Sequence, residues 1–228
     1  MTTTGTWNWN PDAGSIVLAA FGRLQIRRAE LTTQHLEDAA FESNALMVDI
    51  SNRNPERWLM ELQSIPLTSS ATYTLQQRTI GVTTAVIATP GLYDRAMGPM
   101  AAADYTVIPQ KTIAAPPTAF WFYLGIPPTI TLWPVPDTAT IAAGATLNLM
   151  TWRQTQDVDL TNGQSVDCPY RFLDAFATGL AARLAEYYRP EKEDKLNTRY
   201  EQRMARAIKR DQENVNITIA PTFQGYYQ

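Results

Sequence analysis

The spacing of apolar residues changes twice along this chain, and that change most constrains its fold. From Pro11 to about Asn52, apolar residues recur three or four positions apart, the period of a helix with one buried face. From Trp58 to Arg153 the chain carries short runs rich in Thr, Val, Ile, Tyr and Trp, which is typical of strands. After Asp167 the helical period returns. The sequence therefore predicts helices at both ends and strands between them.

The first helical segment is predicted to hold two helices. Asp12 and Ser15 are helix-capping residue types and precede the first apolar stripe. That stripe consists of Val17, Ala20, Phe21 and Leu24. The second helix is predicted to begin after Thr32 or Thr33 and to end before Pro55, since proline disfavours helix in the residue before it. Its predicted buried face consists of Leu36, Ala39, Ala40, Ser43, Met47 and Ile50.

The middle of the chain is predicted to form a small antiparallel sheet or sandwich. Six strand-like runs begin at residues 57, 71, 81, 120, 129 and 145. Proline cannot donate a ladder hydrogen bond, so the prolines between the runs mark edges and turns. They are Pro109, Pro116, Pro117, Pro127, Pro128, Pro134 and Pro136. One short helical turn is predicted within residues 92–105.

The last part of the chain predicts a second helix pair followed by an extended arm. Pro169 and Pro190 suit helix starts. The two apolar stripes are Leu173, Phe176, Ala177, Leu180, Ala181, Leu184 and Tyr188, then Leu196, Tyr200, Met204, Ala207 and Ile208. Beyond residue 214 apolar and polar residues alternate and Pro221 interrupts the chain, which favours an arm over a helix.

Together these patterns predict an α+β fold: a helical bundle made of the N- and C-terminal helix pairs, with an inserted antiparallel β domain and an extended C-terminal arm. The predicted segments are 1–54, 55–160, 161–214 and 215–228. A domain whose two ends come together is tolerated as an insertion.

The sequence offers little to an enzyme or a metal site. It has one histidine, His35, and one cysteine, Cys168, whereas zinc sites built on these residues need several. It lacks the G-x-S-x-G and Walker motifs, and the acidic run from Asp157 departs from calcium-loop spacing. We therefore expect no enzymatic activity, no cofactor and no metal, and we interpret His35 as a hydrogen-bonding residue on a helix.

Composition also bears on partners. The formal charge of −3 gives no overall attraction to nucleic acid. No window approaches the roughly 20 apolar residues of a membrane span, and no secretory signal is recognisable at the start, so we expect no membrane association.

Two features instead predict assembly. Basic residues of the last helix recur at steps of three or four and form one stripe: Lys195, Arg199, Arg203, Arg206 and Arg210. Either this stripe is a solvated face or it contacts an acidic partner. The arm carries apolar and aromatic residues where a disordered tail would be polar: Ile217, Ile219, Phe223, Tyr226 and Tyr227. We interpret it as a segment that binds a neighbouring protein.

The order of these motifs resembles that of tailed-bacteriophage head-to-tail connector adaptors, of the tail accessory factor or packaged-DNA stabilisation protein type. Gly22, Leu24, Ile26 and Arg28 match a G-x-L-x-I-x-R stretch, and Leu31, Thr32, His35 and Leu36 match LT-x-x-HL. The run "DYTVIPQKTIAAPPTAFWFY" resembles the β insert of longer members, and the residues after Cys168 resemble their final helix pair.

That resemblance implies a structural virion protein at the head–tail junction, assembled in the host cytoplasm. It implies a homo-oligomeric ring, commonly of twelve copies, with the arm on the portal protein and a tail nozzle or tail tube protein on the other side. Viral DNA would pass through the ring without sequence-specific contacts, be retained after packaging and leave through it on ejection. Two alternatives stay open: a hydrolase with the β insert as substrate platform, and a glycan- or peptide-binding module that uses Trp121, Phe122 and Tyr123.

Overall fold

The structure is a computed structural model that describes residues 9–53 and 57–211. All five residues predicted for the arm lie outside the described residues. The predicted α+β class, with helices at both ends and a β insert between them, is confirmed.

The described part of the chain holds six α-helices. They are α1 (Ala13–Arg23), α2 (Thr33–Arg53), α3 (Ala102–Val107), α4 (Thr138–Ala142), α5 (Leu173–Tyr188) and α6 (Glu193–Asp211). Short 3-10 turns precede α5 and α6, and the latter turn begins at Pro190, where the sequence predicts a helix start. The short helix α3 lies in the region where one helical turn is predicted.

The β insert forms one curled sheet of seven strands in the order β1-β7-β3-β4-β5-β6-β2. The strands are β1 (Met60–Pro66), β2 (Thr72–Thr74), β3 (Thr79–Ala88), β4 (Arg95–Pro99), β5 (Ala119–Tyr123), β6 (Thr129–Trp133) and β7 (Thr146–Arg153). The seven prolines assigned to edges and turns all lie outside the strands.

The sheet is mixed, whereas the sequence predicts an antiparallel one. Strands β4 and β5 run parallel, with Gly98 opposite Ala119, and every other neighbouring pair is antiparallel. The sequence analysis did not identify β4, because Gly98 and Pro99 are poor strand formers. The connection over 100–118, which contains α3, is long enough to return the chain for a parallel pair.

Helix α5 is the centre of the helical bundle, and α1, α2 and α6 all pack on it. Its predicted apolar stripe is buried except Tyr188, which is half-buried, and small residues on its other faces are buried as well, among them Ala175, Gly179 and Ala182. Alanine and glycine on every face let three helices approach one. The two N-terminal helices therefore contact α5 far more than each other.

The predicted face of α2 is largely confirmed. Ala39, Ser43, Met47 and Ile50 are buried, whereas Ala40 is only half-buried and the Leu36 side chain is 44% exposed. Leu36 lies in the first turn of α2, at the rim of a groove that Leu31 and Leu160 also line.

A second apolar core lies within the β insert, formed by residues such as Tyr73, Phe120 and Leu147. The two cores meet at Trp58 and Asp167. The Trp58 ring packs on Phe172 with 4.9 Å between ring centres, and its indole nitrogen donates to the Asp167 carbonyl at 3.2 Å. Arg153 at the end of β7 donates to both Asp167 carboxylate oxygens, at 2.6 and 3.0 Å. The insert is thus fixed to the start of α5. The four segment boundaries stay predictions.

Candidate functional site

One groove on the described surface is strongly basic. It has a volume of about 850 Å³ and lies between the start of α5 and the last turns of α6. We call it the cationic groove, because its charged lining residues are five basic residues and one carboxylate: Arg171, Arg203, Arg206, Lys209, Arg210 and Asp174.

The helix packing explains why these residues meet. Helix α6 runs back along α5 after the short connection at Pro190, so its last turns lie beside the first turn of α5. Its apolar face is buried through Leu196, Tyr200, Met204 and Ala207. The basic stripe follows one edge of that buried face, because residues one position away are turned by about 100° around a helix.

The structure brings part of the predicted basic stripe into the groove. Arg203, Arg206 and Arg210 line it, while Lys195 and Arg199 continue the same line towards the start of α6. Arg203 is half-buried and the other four are exposed. That the stripe binds a partner stays a prediction.

Asp174 is the one carboxylate that lines the cationic groove within the described residues, and two arginines share it. Arg203 donates to its Oδ1 at 2.7 Å and Arg23 of α1 at 2.9 Å. Both guanidinium groups also donate to the Thr178 hydroxyl. Burial lowers the pKa of Arg23; the charge of Asp174 opposes this effect and the charge of Arg203 reinforces it. No described carboxylate pairs with Arg206, Lys209 or Arg210, so the groove keeps an excess of positive charge.

The opposite edge of α6 is acidic. Five carboxylates, which we call the acidic flank, lie where α2, α5 and α6 meet: Glu42, Asp49, Glu186, Glu193 and Glu201. Two arginines lie among them. Arg53 contacts Asp49 at 3.1 Å and Glu201 at 2.8 Å, and Arg183 contacts Glu42 at 3.2 Å. The acidic flank thus keeps an excess of negative charge.

His35 lies at the start of α2 in a packed, hydrogen-bonded position. Its Nδ1 accepts from the Thr32 backbone N–H at 3.2 Å. Its ring stacks on Tyr188 with 4.5 Å between centres and meets the edge of Phe21 at 5.5 Å. Burial, with the hydrogen bond that Tyr188 donates to Asp38, raises the pKa of Tyr188 to about 12. These contacts agree with the interpretation of His35 as a hydrogen-bonding residue on a helix.

The single cysteine lies elsewhere in the fold. Cys168 packs against the helical core in a groove that Trp58 and Arg153 also line. His35 and Cys168 therefore pack against different residues. Within residues 9–53 and 57–211, no group of three or more His, Cys, Asp and Glu side chains could hold a metal ion. In the loop after β7, Asp159 accepts from Thr161 and Asn162 and so forms a local turn.

The three aromatic residues considered as a binding platform do not share one face. Trp121 and Tyr123 lie on the same side of β5, with 5.9 Å between ring centres, while Phe122 packs against the β core. Alternate residues of a strand point to opposite faces, which separates them. Trp121 is half-buried beneath Tyr105 of α3, whose ring stacks on it at 5.2 Å. Local sequence patterns do not indicate that Tyr105 covers Trp121, because only the tertiary fold brings α3 onto β5.

Helices that could span a membrane were sought in the described ranges, and none is both long and apolar enough.

Comparison with known proteins adds one finding. The family model described as SU10 adaptor protein matches residues 12–221, a range that takes in both helical ends and the β insert. The comparison with curated proteins finds no match. Because the family model matches nearly the whole chain, the chain belongs to the SU10 adaptor protein family, a family of bacteriophage structural adaptors.

Proposed function

We propose that this protein is a head-to-tail adaptor that forms a ring between the portal and the tail of a phage particle. The family match over residues 12–221 carries this proposal. On this view twelve copies surround the channel, retain packaged DNA and form part of the path by which it leaves. The ring is assembled in the host cytoplasm and then becomes part of the virion.

The architecture supports such a role because it offers separate surfaces to different neighbours. The helical bundle and the β insert have their own apolar cores. Trp58 and the ion pair of Arg153 with Asp167 hold the two together. A rigid unit with two ends can contact one protein at each end, as a subunit between the portal and a tail nozzle or tail tube protein must.

The arm is the part that we propose binds the portal. It follows α6 in the sequence. Ile217 and Ile219 alternate with polar residues before Pro221, and Phe223, Tyr226 and Tyr227 come after it. An extended segment of this pattern can pair its backbone with a sheet edge and place alternate side chains in apolar pockets. The last turns of α6, which precede the arm in the sequence, line the cationic groove.

Deletion of residues 216–228 tests this function. We expect the shortened protein to keep its helical circular dichroism and to lose binding to the portal protein of the same phage. A finer comparison uses the alternation itself: Ile217→Ala with Ile219→Ala should weaken binding strongly, whereas Asn216→Ala with Thr218→Ala, the matched control, should not. Normal portal binding by the deletion variant would refute the role of the arm. Absence of the protein from the genome-exit vertex of purified virions would refute the adaptor function.

A further inference from the structure

Helix α6 separates charge around its axis. The basic stripe lies on the edge towards α1, where Arg203 and Arg23 share Asp174. Glu201 lies on the edge towards α2, where it binds Arg53. Each residue turns the helix by about 100°, so Arg199 and Glu201 point in directions about 200° apart. The cationic groove and the acidic flank therefore lie on opposite sides of the helical bundle.

The basic side carries charge that the described part of the subunit does not balance. Lys195, Arg199 and Arg203 are spaced four residues apart, as are Arg206 and Arg210, and like charges at this spacing destabilise a helix. Asp174 serves Arg203 and Arg23, and no other described carboxylate pairs with the stripe. A counter-charge from outside the subunit would remove this repulsion.

The acidic side has the complementary property. Among the described residues, Arg53 and Arg183 are the two that form salt bridges with its five carboxylates. Glu186 and Glu193 line the groove between α2 and α6, and neither forms a salt bridge with another described residue. One subunit thus holds both halves of a complementary pair, but on faces that cannot meet within one molecule.

We propose that the cationic groove of one subunit binds the acidic flank of the next subunit in the ring, an inference that rests on the proposed adaptor function. A contact between two different faces of identical subunits is heterologous, and repetition of such a contact closes a ring when the rotation allows it. Because the helical faces are opposite each other, each subunit can accept one neighbour and engage another. A second copy is favoured over DNA as the occupant, since the matching charge is on this same chain and the net charge of −3 gives no overall attraction to nucleic acid.

Charge reversal tests the contact. The groove variant is Arg206→Glu with Arg210→Glu, and the flank variant is Glu186→Lys with Glu193→Lys. All but Glu193, which is half-buried, are exposed, so circular dichroism should show unchanged helicity. Assembly is followed by sedimentation of the full chain at low and high salt, alone and with the portal. We expect each variant to associate with itself roughly a hundredfold more weakly, because like charges across an interface are strongly unfavourable.

Combinations of the variants identify the geometry. The groove variant carries acidic residues on both faces and the flank variant carries basic residues on both faces, so neither should form rings alone, whereas a mixture should form rings in which the two variants alternate. A chain that carries all four reversals should form rings again. Carbodiimide, which joins amines to touching carboxylates, should link Lys209 of one wild-type copy to the acidic flank of another.

The possible results separate the two proposals. If each reversal variant formed complete rings by itself, this interface would be refuted and the adaptor function would remain intact. Failure of the wild-type chain to bind portal would instead count against the adaptor function, and the low-salt sedimentation and cross-linking would still test the interface. If the groove variant assembled normally but lost binding to a labelled DNA duplex, the groove would be a nucleic-acid site and the inference would be wrong.

Discussion

The packing of Tyr200 against Gly179 allows a quantitative test of the central helix. A Cβ added at Gly179 would lie 2.8 Å from two ring carbons of Tyr200 and 3.1 Å from a methyl carbon of Leu46. Favourable carbon contacts lie at about 3.5–4.0 Å, so the ring would have to move by at least half an ångström. Tyr200 is 3% exposed, its hydroxyl lies 3.3 Å from Asp49, and Arg53 covers its ring at 5.0 Å. These contacts oppose a shift of the ring.

Gly179→Ala should for this reason lower the free energy of unfolding. Overpacking of this kind costs about 1–3 kcal/mol, while alanine gains about 1 kcal/mol over glycine in a helix interior. The expected net loss is about 0–2 kcal/mol, which lowers the melting temperature by up to roughly 8 °C for a chain of this size. Urea and thermal unfolding followed by circular dichroism at helical wavelengths would measure it.

Gly22 supplies the matched control. It lies in α1, and a Cβ there would meet nothing within 4 Å. Gly22→Ala should therefore raise stability by about 0.4–1 kcal/mol. Tyr200→Leu placed in the Gly179→Ala background should recover part of the loss, since contacting residues show non-additive effects. Equal stabilisation by Gly22→Ala and Gly179→Ala would refute the close packing of α5 and α6.

Three further outcomes follow from the described contacts. Arg199→Glu should raise the free energy of unfolding by about 0.5–1 kcal/mol in urea, because it replaces repulsion from Lys195 and Arg203 by attraction; a decrease would contradict the repulsion. The pKa of Tyr188 is raised in the folded state, so the stabilisation that its protonated form provides is complete below pH 10 and disappears between pH 10 and about 12. Tyr188→Phe should therefore reduce the fall of the urea midpoint over that pH range, and an unchanged fall would exclude this residue as its cause. Arg153→Ala leaves the carboxylate of its partner without a charged donor, so it should cost about 1–3 kcal/mol and speed proteolysis in the loop after β7; unchanged cleavage would show that the pair does not hold the insert.

The sequence predicts most of the secondary structure because one apolar face dominates each long helix. The buried faces of α1 and α6 match their apolar periods closely. The exceptions have local causes. Strand β4 contains Gly98 and Pro99, whose low strand propensity gives no sign of a strand. Its parallel pairing with β5 depends on a crossover connection that no local sequence pattern specifies.

The candidate site is only partly visible in the sequence. The spacing of Arg203, Arg206 and Arg210 identifies one wall of the cationic groove, since residues on one helix share a face. Arg171 and Asp174 form the other wall, and Arg23 approaches from 151 positions away in the chain. Short-range periodicity cannot show which helices meet, so neither the groove nor the acidic flank opposite it can be assigned without the fold.

The central position of α5 has a consequence for biosynthesis. Helices α1 and α2 leave the ribosome first, but the helix that covers their apolar faces begins only at Leu173, after about 120 further residues and thus roughly 6–24 s at ordinary translation speeds. Within residues 9–53 and 57–211, the strands of the insert pair only with one another, so the sheet can form before α5 covers α1 and α2. Helix α5 then covers the apolar faces of α1 and α2 when it emerges. A ribosome that stalls inside the insert leaves those faces exposed, and chaperones must shield them.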